Sequence, residues 1–211
     1  ATEAFTIRLP GQSRRFLPVY SHMLATEPLP AELWEEVGWA GREPVADQRH
    51  VFRYGQRTPD DRIALGGAGA TYRFGSGLHE AAEGDRAALG RVEATLRAWF
   101  PALRDVRITH RWGGAFATPR DWSMGIGLDR ATGLGWAGGL AGHGVVASSL
   151  CGRTLADLVL GRATDLTHLP WVGHESRSWE PEPLRFVAAR IVPRLLRSAD
   201  DAEDRGVPRA R

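Results

Sequence analysis

The stretch GWAGGLAGHG at residues 135–144 runs directly into VVASSLCGRTLADLVL at residues 145–160. This pattern predicts a short apolar strand that passes through a glycine-rich turn into a helix. Glycine permits backbone conformations that other residues avoid, and the first amides of a helix have no acceptor within it. With the helix dipole, such amides favour an anion or an electron-rich ring close to the main chain. A turn that serves packing alone is the alternative interpretation.

The composition of the chain argues against several classes of function. The chain has 211 residues, 43% hydrophobic and 25% charged, as in ordinary globular proteins. Its basic residues are all arginine, the formal net charge is +2, and arginines alternate with acidic residues. This pattern disfavours nucleic-acid binding, and no segment is long and apolar enough to cross a membrane. The single Cys151 excludes an internal disulfide and a cysteine-built zinc site, and it favours the reducing cytoplasm.

Apolar periodicity and turn residues predict an α+β fold before the glycine-rich stretch. Helical spacing of Leu89, Val92, Leu96 and Trp99 predicts a helix over residues 85–100, ended by Pro101. Alternating or β-forming residues predict strands over residues 17–24 and 105–112, and a hairpin of residues 49–56 and 62–67 around TPDD.

After residue 114 the sequence predicts a loop to residue 132, a short strand over residues 134–137 and then the helix quoted above. A helix is also expected over residues 184–196, with Phe186, Val187, Ile191 and Leu195 on its apolar side; Pro193 is expected to kink or end it. Residues 199–211 are charged, lack apolar periodicity and are predicted to be frayed.

These pieces together resemble the D-amino-acid-oxidase-like family of FAD-dependent oxidoreductases, which includes glycine, sarcosine and γ-glutamylputrescine oxidases. The resemblance covers about residues 1–165, and the Gly-Gly-x-x-Gly-His-Gly element is its most specific part. The matching motifs occur in family order: LATEPL at 24–29, the 54–67 hairpin, RWGG at 111–114, WAGGLAGHG at 136–144 and GRTLAD at 152–157.

The resemblance implies an antiparallel substrate-domain sheet with flanking helices, plus the terminal strand and helix of a Rossmann-like FAD-binding domain. The implied domains are a segment entering from a missing FAD domain (1–10), a substrate-binding domain (11–115), the C-terminal part of the FAD-binding domain (116–165) and a C-terminal extension (166–211). The family's opening Gly-x-Gly-x-x-Gly motif is not found, since GGAG at 66–69 leads into TYRF, which is not a helical pattern. We therefore expect the C-terminal half of an oxidoreductase.

For the cofactor, the resemblance places the glycine turn and helix start against the pyrimidine edge of the flavin ring. Fixed amides there stabilise the negative charge that hydride transfer leaves on the ring. Two alternatives stand for the His143 side chain. It lies beside the flavin, or it forms a hydrogen bond to a neighbouring carbonyl. The implied FAD-binding residues are Gly138, Gly139, Leu140, Ala141, Gly142, His143, Gly144 and Val145.

For the substrate, the resemblance implies a pocket over the open flavin face, lined by Phe52, Tyr54, Arg111 and Phe116. The alternative for Phe52 and Tyr54 is a role as aromatic residues in the core of the sheet. The alternative for Arg111 is an exposed arginine beside a packed Trp112.

The implied substrate is an amine rather than a tightly held amino acid. Family members often clamp a substrate carboxylate with a basic residue. The corresponding positions here are Phe116, Gly142 and Val146, none of them basic, although Arg53 or Arg120 would be substitutes. Cys151 does not match a flavin-tethering position, so a small buried thiol is expected.

The resulting functional prediction is the C-terminal part of an FAD-dependent oxidoreductase that oxidises the C–N bond of an amine or amino acid by hydride transfer. In this family catalysis depends on substrate orientation, so no catalytic acid or base and no metal ligand is assigned. The predicted partners are the small-molecule substrate and the missing FAD-binding half, and the chain alone is expected to bind FAD weakly. The alternative is a non-catalytic binding or assembly module. A hydrolase is disfavoured, because the sequence has no Ser/His/Asp spacing that supports one.

Overall fold

A computed structural model describes residues 2–67 and 71–205 of the chain. The residues form mixed helices and strands, with 3-10 turns at Glu3–Arg8, Phe74–Ser76, Pro101–Leu103 and Asp165–His168. The helices and strands, in chain order, are β1 (Leu17–Thr26), α1 (Ala31–Val37), β2 (Val45–Ala46), β3 (Arg53–Arg57), β4 (Ile63–Gly67), α2 (Glu80–Glu83), α3 (Arg86–Trp99), β5 (Ile108–Thr118), β6 (Gly125–Asp129), β7 (Leu134–Gly138), α4 (Gly144–Leu160) and α5 (Leu184–Asp204). The predicted α+β class is confirmed.

The chain divides into two compact units. The first unit contains residues 1–19, 74–78 and 115–185, and the second contains residues 20–73, 79–114 and 186–211. Each unit is therefore assembled from separate parts of the chain. The domain limits expected after residues 10, 115 and 165 stay predictions.

The main sheet has five strands in the order β2-β3-β4-β1-β5. Strand β4 pairs antiparallel with β3 on one side, with Tyr54 opposite Gly66, and with β1 on the other, with Leu24 opposite Leu65. The hairpin β3–β4 turns through Thr58, whose amide donates to the Arg62 carbonyl at 2.9 Å. The antiparallel sheet and the hairpin are confirmed, but the first strand of the hairpin begins at Arg53, so the strand predicted over residues 49–52 is wrong.

The second unit has a closed hydrophobic core between this sheet and helix α3. The helix begins where predicted, because the Asp85 carboxylate accepts the amides of Ala87 and Ala88 at 3.0 Å each and caps its N-terminus. The core consists of Leu24, Leu29, Trp34, Trp39, Ile63, Leu65, Val92, Leu96, Leu103 and Ile108.

In the first unit, β6 and β7 form an antiparallel two-stranded sheet beside α4. Gly127 lies opposite Trp136, and a Cβ on Gly127 would meet the indole at 2.5 Å from Cε2. The glycine is therefore required by the tryptophan that covers it. Helix α4 ends at Gly161, which has φ 67°.

Three sequence predictions are corrected. The segment expected to be a loop to residue 132 contains the end of β5 and the whole of β6, because β6 is completed by hydrogen bonds to β7. Pro193 does not end helix α5, which continues to Asp204, so residues 199–204 are helical rather than frayed. The remainder of that tail, residues 206–211, lies outside the described part of the chain.

The apolar side predicted for α5 is largely open. Phe186 lies against Tyr72, with ring centroids 6.3 Å apart, whereas Val187, Ile191 and Leu195 are exposed. Within residues 2–67 and 71–205, no helix combines the length and the apolar character needed to cross a membrane.

Candidate functional site

The glycine turn lies in the first unit, between β7 and α4. After β7 ends at Gly138, the backbone adopts a positive φ at Gly139 (73°), Ala141 (47°) and Gly142 (93°). The amide of His143 donates to the Leu140 carbonyl at 2.9 Å and closes the turn. Three left-handed residues within four positions thus reverse the chain between the strand and the helix.

Gly139 is fixed by close packing as well as by its backbone angle. A Cβ there would lie 3.2 Å from Cγ of Pro119 and 3.3 Å from Cε1 of Phe16. Ala141 adopts left-handed backbone geometry despite its side chain, and strained backbone of this kind is concentrated at functional sites. The turn is therefore a specific conformation that most sequences would not adopt.

The helix start that follows is open to solvent. His143 is the N-cap residue of α4 and makes no side-chain capping bond, and Val145 is 92% exposed. The amides of the first turn have no acceptor within the helix. Phe116 lies beside this opening, with Cε2 4.0 Å from where a Cβ on Gly142 would stand. The structure thus brings Phe116 together with the predicted cofactor residues.

The predicted substrate residues Phe52 and Tyr54 lie on and next to strand β3 in the second unit. Their ring centroids are 5.8 Å apart, and the Tyr54 hydroxyl is 3.2 Å from Oγ of Ser21. Phe52 is 53% exposed and Tyr54 is half-buried over Gly66, where a Cβ would come 2.8 Å from Cζ. An aromatic pair with one open face suits contact with a ligand, although a role in the sheet core stays an alternative for Tyr54.

Arg111 is already engaged within the protein. Its Nη2 donates to Oε2 of Glu93 at 2.9 Å, and its Nη1 donates to the Ile108 carbonyl at 3.3 Å. Burial opposes the charge of Glu93, but hydrogen bonds from Arg111 and Arg97 prevail and lower the pKa of that carboxyl. This pair ties β5 to α3, so Arg111 has a structural partner as well as a predicted substrate role. Trp112 beside it is 42% exposed.

The two arginines considered as substitute carboxylate clamps also have partners. Arg53 donates from Nη1 to Asp47 at 3.2 Å, and Arg120 donates from Nε to both carboxylate oxygens of Glu180 at 3.0 and 3.1 Å. The Glu180 backbone amide and Arg120 lower the pKa of the Glu180 carboxyl, so the pair is ionised at neutral pH. Each guanidinium therefore already uses one of its N–H groups for a carboxylate of this chain.

Cys151 is a free, buried thiol, as expected. Its Sγ lies 3.8 Å from Sδ of Met124, and burial raises the pKa of the thiol above its ordinary value. A neutral thiol is a poor nucleophile.

One buried histidine was missed by sequence reasoning. His22 lies on β1 with Nε2 2.8 Å from the Ala82 carbonyl, whereas Nδ1 is buried and finds no hydrogen-bond partner in the part of the chain that the structure describes. Gly113 permits this burial, since a Cβ there would lie 2.9 Å from Cδ2 of His22. Its position among apolar residues of a predicted strand was the available signal.

Comparison with known proteins gives a consistent assignment. The family model described as DAO, FAD-dependent oxidoreductase, matches residues 1–158. The chain is 33% identical over 133 residues to the probable oxidoreductase OrdL of Rhizobium meliloti (strain 1021), covering 60% of this chain and 27% of that protein. It is 29% identical over 171 residues to the gamma-glutamylputrescine oxidoreductase of Escherichia coli (strain K12), covering 78% of this chain and 37% of that protein.

Among solved structures, the glycine oxidase of Geobacillus kaustophilus superposes with a TM-score of 0.61 at 17% identity, covering 85% of this chain and 45% of that one. A likeness at that identity supports the fold. The chain spans about a third of the length of these two curated relatives. Since the family model covers most of the chain, including the glycine turn and nearly all of α4, the protein belongs to the DAO family of FAD-dependent oxidoreductases.

Proposed function

We propose that this chain supplies part of the flavin site and the substrate pocket of an FAD-dependent oxidoreductase that oxidises a C–N bond. The single observation that carries the proposal is the glycine turn with left-handed backbone at Gly139, Ala141 and Gly142, leading into the open start of α4. When bound, FAD would supply the acceptor for the hydride, and with it the two electrons, removed from the substrate carbon.

The residues present fit one edge of a flavin ring. A Cβ placed on Gly142 would have its nearest neighbouring atom 4.0 Å away, and Gly142 and His143 are exposed, so a planar group has room to approach the backbone at the end of the turn. The positive end of the α4 dipole favours negative charge on that group. The proposed binding residues are Gly138, Gly139, Leu140, Ala141, Gly142, His143, Gly144 and Val145.

A matched pair of glycine variants tests this role. Gly142 (φ 93°) and Gly133 (φ 72°) both have positive φ, and a Cβ added to either would meet no atom closer than 4.0 Å, but Gly133 lies in the β6–β7 turn. We expect Gly142→Ala to lower the flavin retained by the full-length protein several-fold, whereas Gly133→Ala retains it. Equal retention in the two variants would show that the turn only packs. Absence of flavin from the wild-type full-length protein would favour the non-catalytic module.

For the substrate, we propose an amine whose carboxylate, where present, is not clamped by arginine. Arg53, Arg111 and Arg120 are each held by a carboxylate of this chain. Phe52 and Tyr54 supply aromatic surface in the second unit instead, and Phe116 supplies it in the first. Steady-state kinetics with an amine and its matching α-amino acid tests this: we expect the higher kcat/KM with the amine. A preference of tenfold or more for the amino acid contradicts it.

We further propose that a nucleotide-binding half completes the flavin site. Two observations support this: the chain covers about a third of its curated relatives, and α4 exposes Val145, Val146, Val159 and Leu160. Residues 1–211 alone should then bind FAD weakly, as measured by fluorescence quenching. A stoichiometric flavin spectrum that bleaches with amine would contradict this. A cytoplasmic location stays a prediction that rests on the single cysteine.

A further inference from the structure

A second cleft lies within the second unit, between the segment at residues 47–53, helix α3 and the C-terminal half of α5. Its volume is about 530 Å³, within the range of roughly 300–1,000 Å³ typical of small-molecule sites. Two aspartates and five arginines line it; the arginines are Arg49, Arg53, Arg91, Arg194 and Arg197.

On one side of the cleft the positive charges are matched. Arg49 donates to Asp204 at 2.6 Å, and Arg53 pairs with Asp47 at 3.2 Å. Asp200 is buried, and its two oxygens accept the amides of His50 and Val51 at 2.8 and 3.1 Å. This carboxylate therefore holds the backbone. The Nε of Arg53 is also buried, and none of the described residues accepts a hydrogen bond from it.

On the α5 side the two arginines form no ion pair among the described residues, although Asp201 lies one helical turn after Arg197 and lines the same cleft. Arg194 and Arg197 lie three residues apart, hence on one helix face, and neither guanidinium makes an ion pair or hydrogen bond within residues 2–67 and 71–205. Burial, together with the charges of Arg91 and Arg194, lowers the pKa of the Arg197 guanidinium, and only Asp201 acts in the opposite direction. Like charges held this close repel unless an anion lies between them.

The remaining wall of the cleft is mostly apolar. Its apolar part is formed by Val51 and by the α3 side chains of Ala94, Ala98 and Trp99, and Thr95 and Ser198 also line it. A ligand that uses the whole cleft therefore combines a strongly acidic group with an apolar or aromatic body. Guanidinium groups match the oxygens of phosphate through paired N–H donors.

From these contacts, we propose that the cleft binds a small organic phosphate, with the phosphate at Arg194 and Arg197 and the organic body against Trp99. All of these residues belong to the second unit, whereas the proposed flavin turn belongs to the first. The proposal is therefore independent of the proposed oxidase function.

Calorimetric titration of the protein with phenyl phosphate and with inorganic phosphate, at constant ionic strength, tests the proposal. We expect one equivalent of phenyl phosphate to bind with a Kd of about 1 mM or tighter. The double variant R194Q/R197Q should weaken both ligands at least tenfold. Trp99→Leu should weaken phenyl phosphate more than inorganic phosphate. Arg104→Gln is the matched control, since Arg104 belongs to the same unit and is 81% exposed, and among the described residues its one ion pair is with Asp105 at 3.7 Å.

No saturable binding by the wild type, or equal binding by R194Q/R197Q and R104Q, would overturn the proposal. If R194Q/R197Q fails to fold, chemical modification of the wild-type protein tests the same proposal. Phenyl phosphate should protect Arg194 and Arg197 from phenylglyoxal, read by peptide mapping, while Arg104 reacts at an unchanged rate. Equal reaction of all three arginines with and without phenyl phosphate would likewise overturn it.

Discussion

Helices α3 and α4 differ in how their apolar side chains are used. Helix α3 has 14 residues and buries Ala88, Leu89, Val92, Thr95 and Leu96 against its own unit. Helix α4 has 17 residues, yet only Cys151 and Thr154 are buried, and Val145 and Val146 are 92% and 81% exposed. A helix whose apolar side chains are mostly exposed leaves apolar surface that a partner or a ligand can contact. The stabilising helix and the helix that we assign to function are thus distinguished by burial rather than by length.

The largest effect is expected in the core beneath α3. Leu96 is completely buried, so Leu96→Ala should lower the free energy of unfolding by about 2–5 kcal/mol. Urea denaturation measures this. A loss similar to that of Val146→Ala, which removes an exposed side chain, would remove the contrast between the two helices.

The next effect concerns the glycine turn before α4. Gly139→Val should cost roughly 1–3 kcal/mol, because φ is positive and Pro119 and Phe16 leave no room for a side chain. Gly133→Val has a similar φ and nothing within 4 Å of the Cβ, so thermal denaturation of both variants separates backbone strain from crowding. Equal losses would show that close packing at Gly139 contributes nothing.

A smaller, pH-dependent effect is expected at the start of α3. Removing the cap with Asp85→Ala should cost about 1 kcal/mol at pH 7. Hydrogen bonds from the Ala88 and Ala87 amides lower the pKa of the Asp85 carboxyl from its ordinary 3.8, with Arg73 contributing. Its stabilisation is therefore present above pH 3.8 and is lost as the pH falls through the lower folded-state pKa.

Denaturation of wild type and D85A at several pH values should show the gap narrowing only below about pH 4. Asp105→Ala, at a carboxyl 96% exposed, is the control and should leave stability nearly unchanged at every pH. A gap that stays constant into strong acid would contradict the assignment of the cap.

The smallest stability effect is expected on α4. Val146→Ser should change the unfolding free energy of residues 1–211 by less than about 0.5 kcal/mol, since the side chain is exposed. The same change should reduce flavin retention by the full-length protein, because serine weakens apolar contact with the proposed nucleotide-binding half. A stability loss comparable to that of L96A would show that α4 is buried after all.

The sequence predicted those elements whose signals are local. Helix α3 has both a capping aspartate and a stopping proline, and the β3–β4 hairpin has Pro and Asp at its turn. Strand β6 was missed because GIGLD is weak as a strand alone and depends on β7 and on Trp136 over Gly127. Helix α1 was also missed, since it is only seven residues long and its one buried residue, Trp34, packs into a core formed by distant segments.

The sequence alone determined the family and the glycine turn, because both depend on residue types at fixed short spacing. Only the tertiary structure decided that Phe116 lies beside Gly142, that Glu93 engages Arg111 and that Arg194 and Arg197 line a cleft with no ion pair to them among the described residues. These relations join residues far apart in the chain. Charge pairing and burial depend on which segments the fold brings together, and no local pattern specifies them.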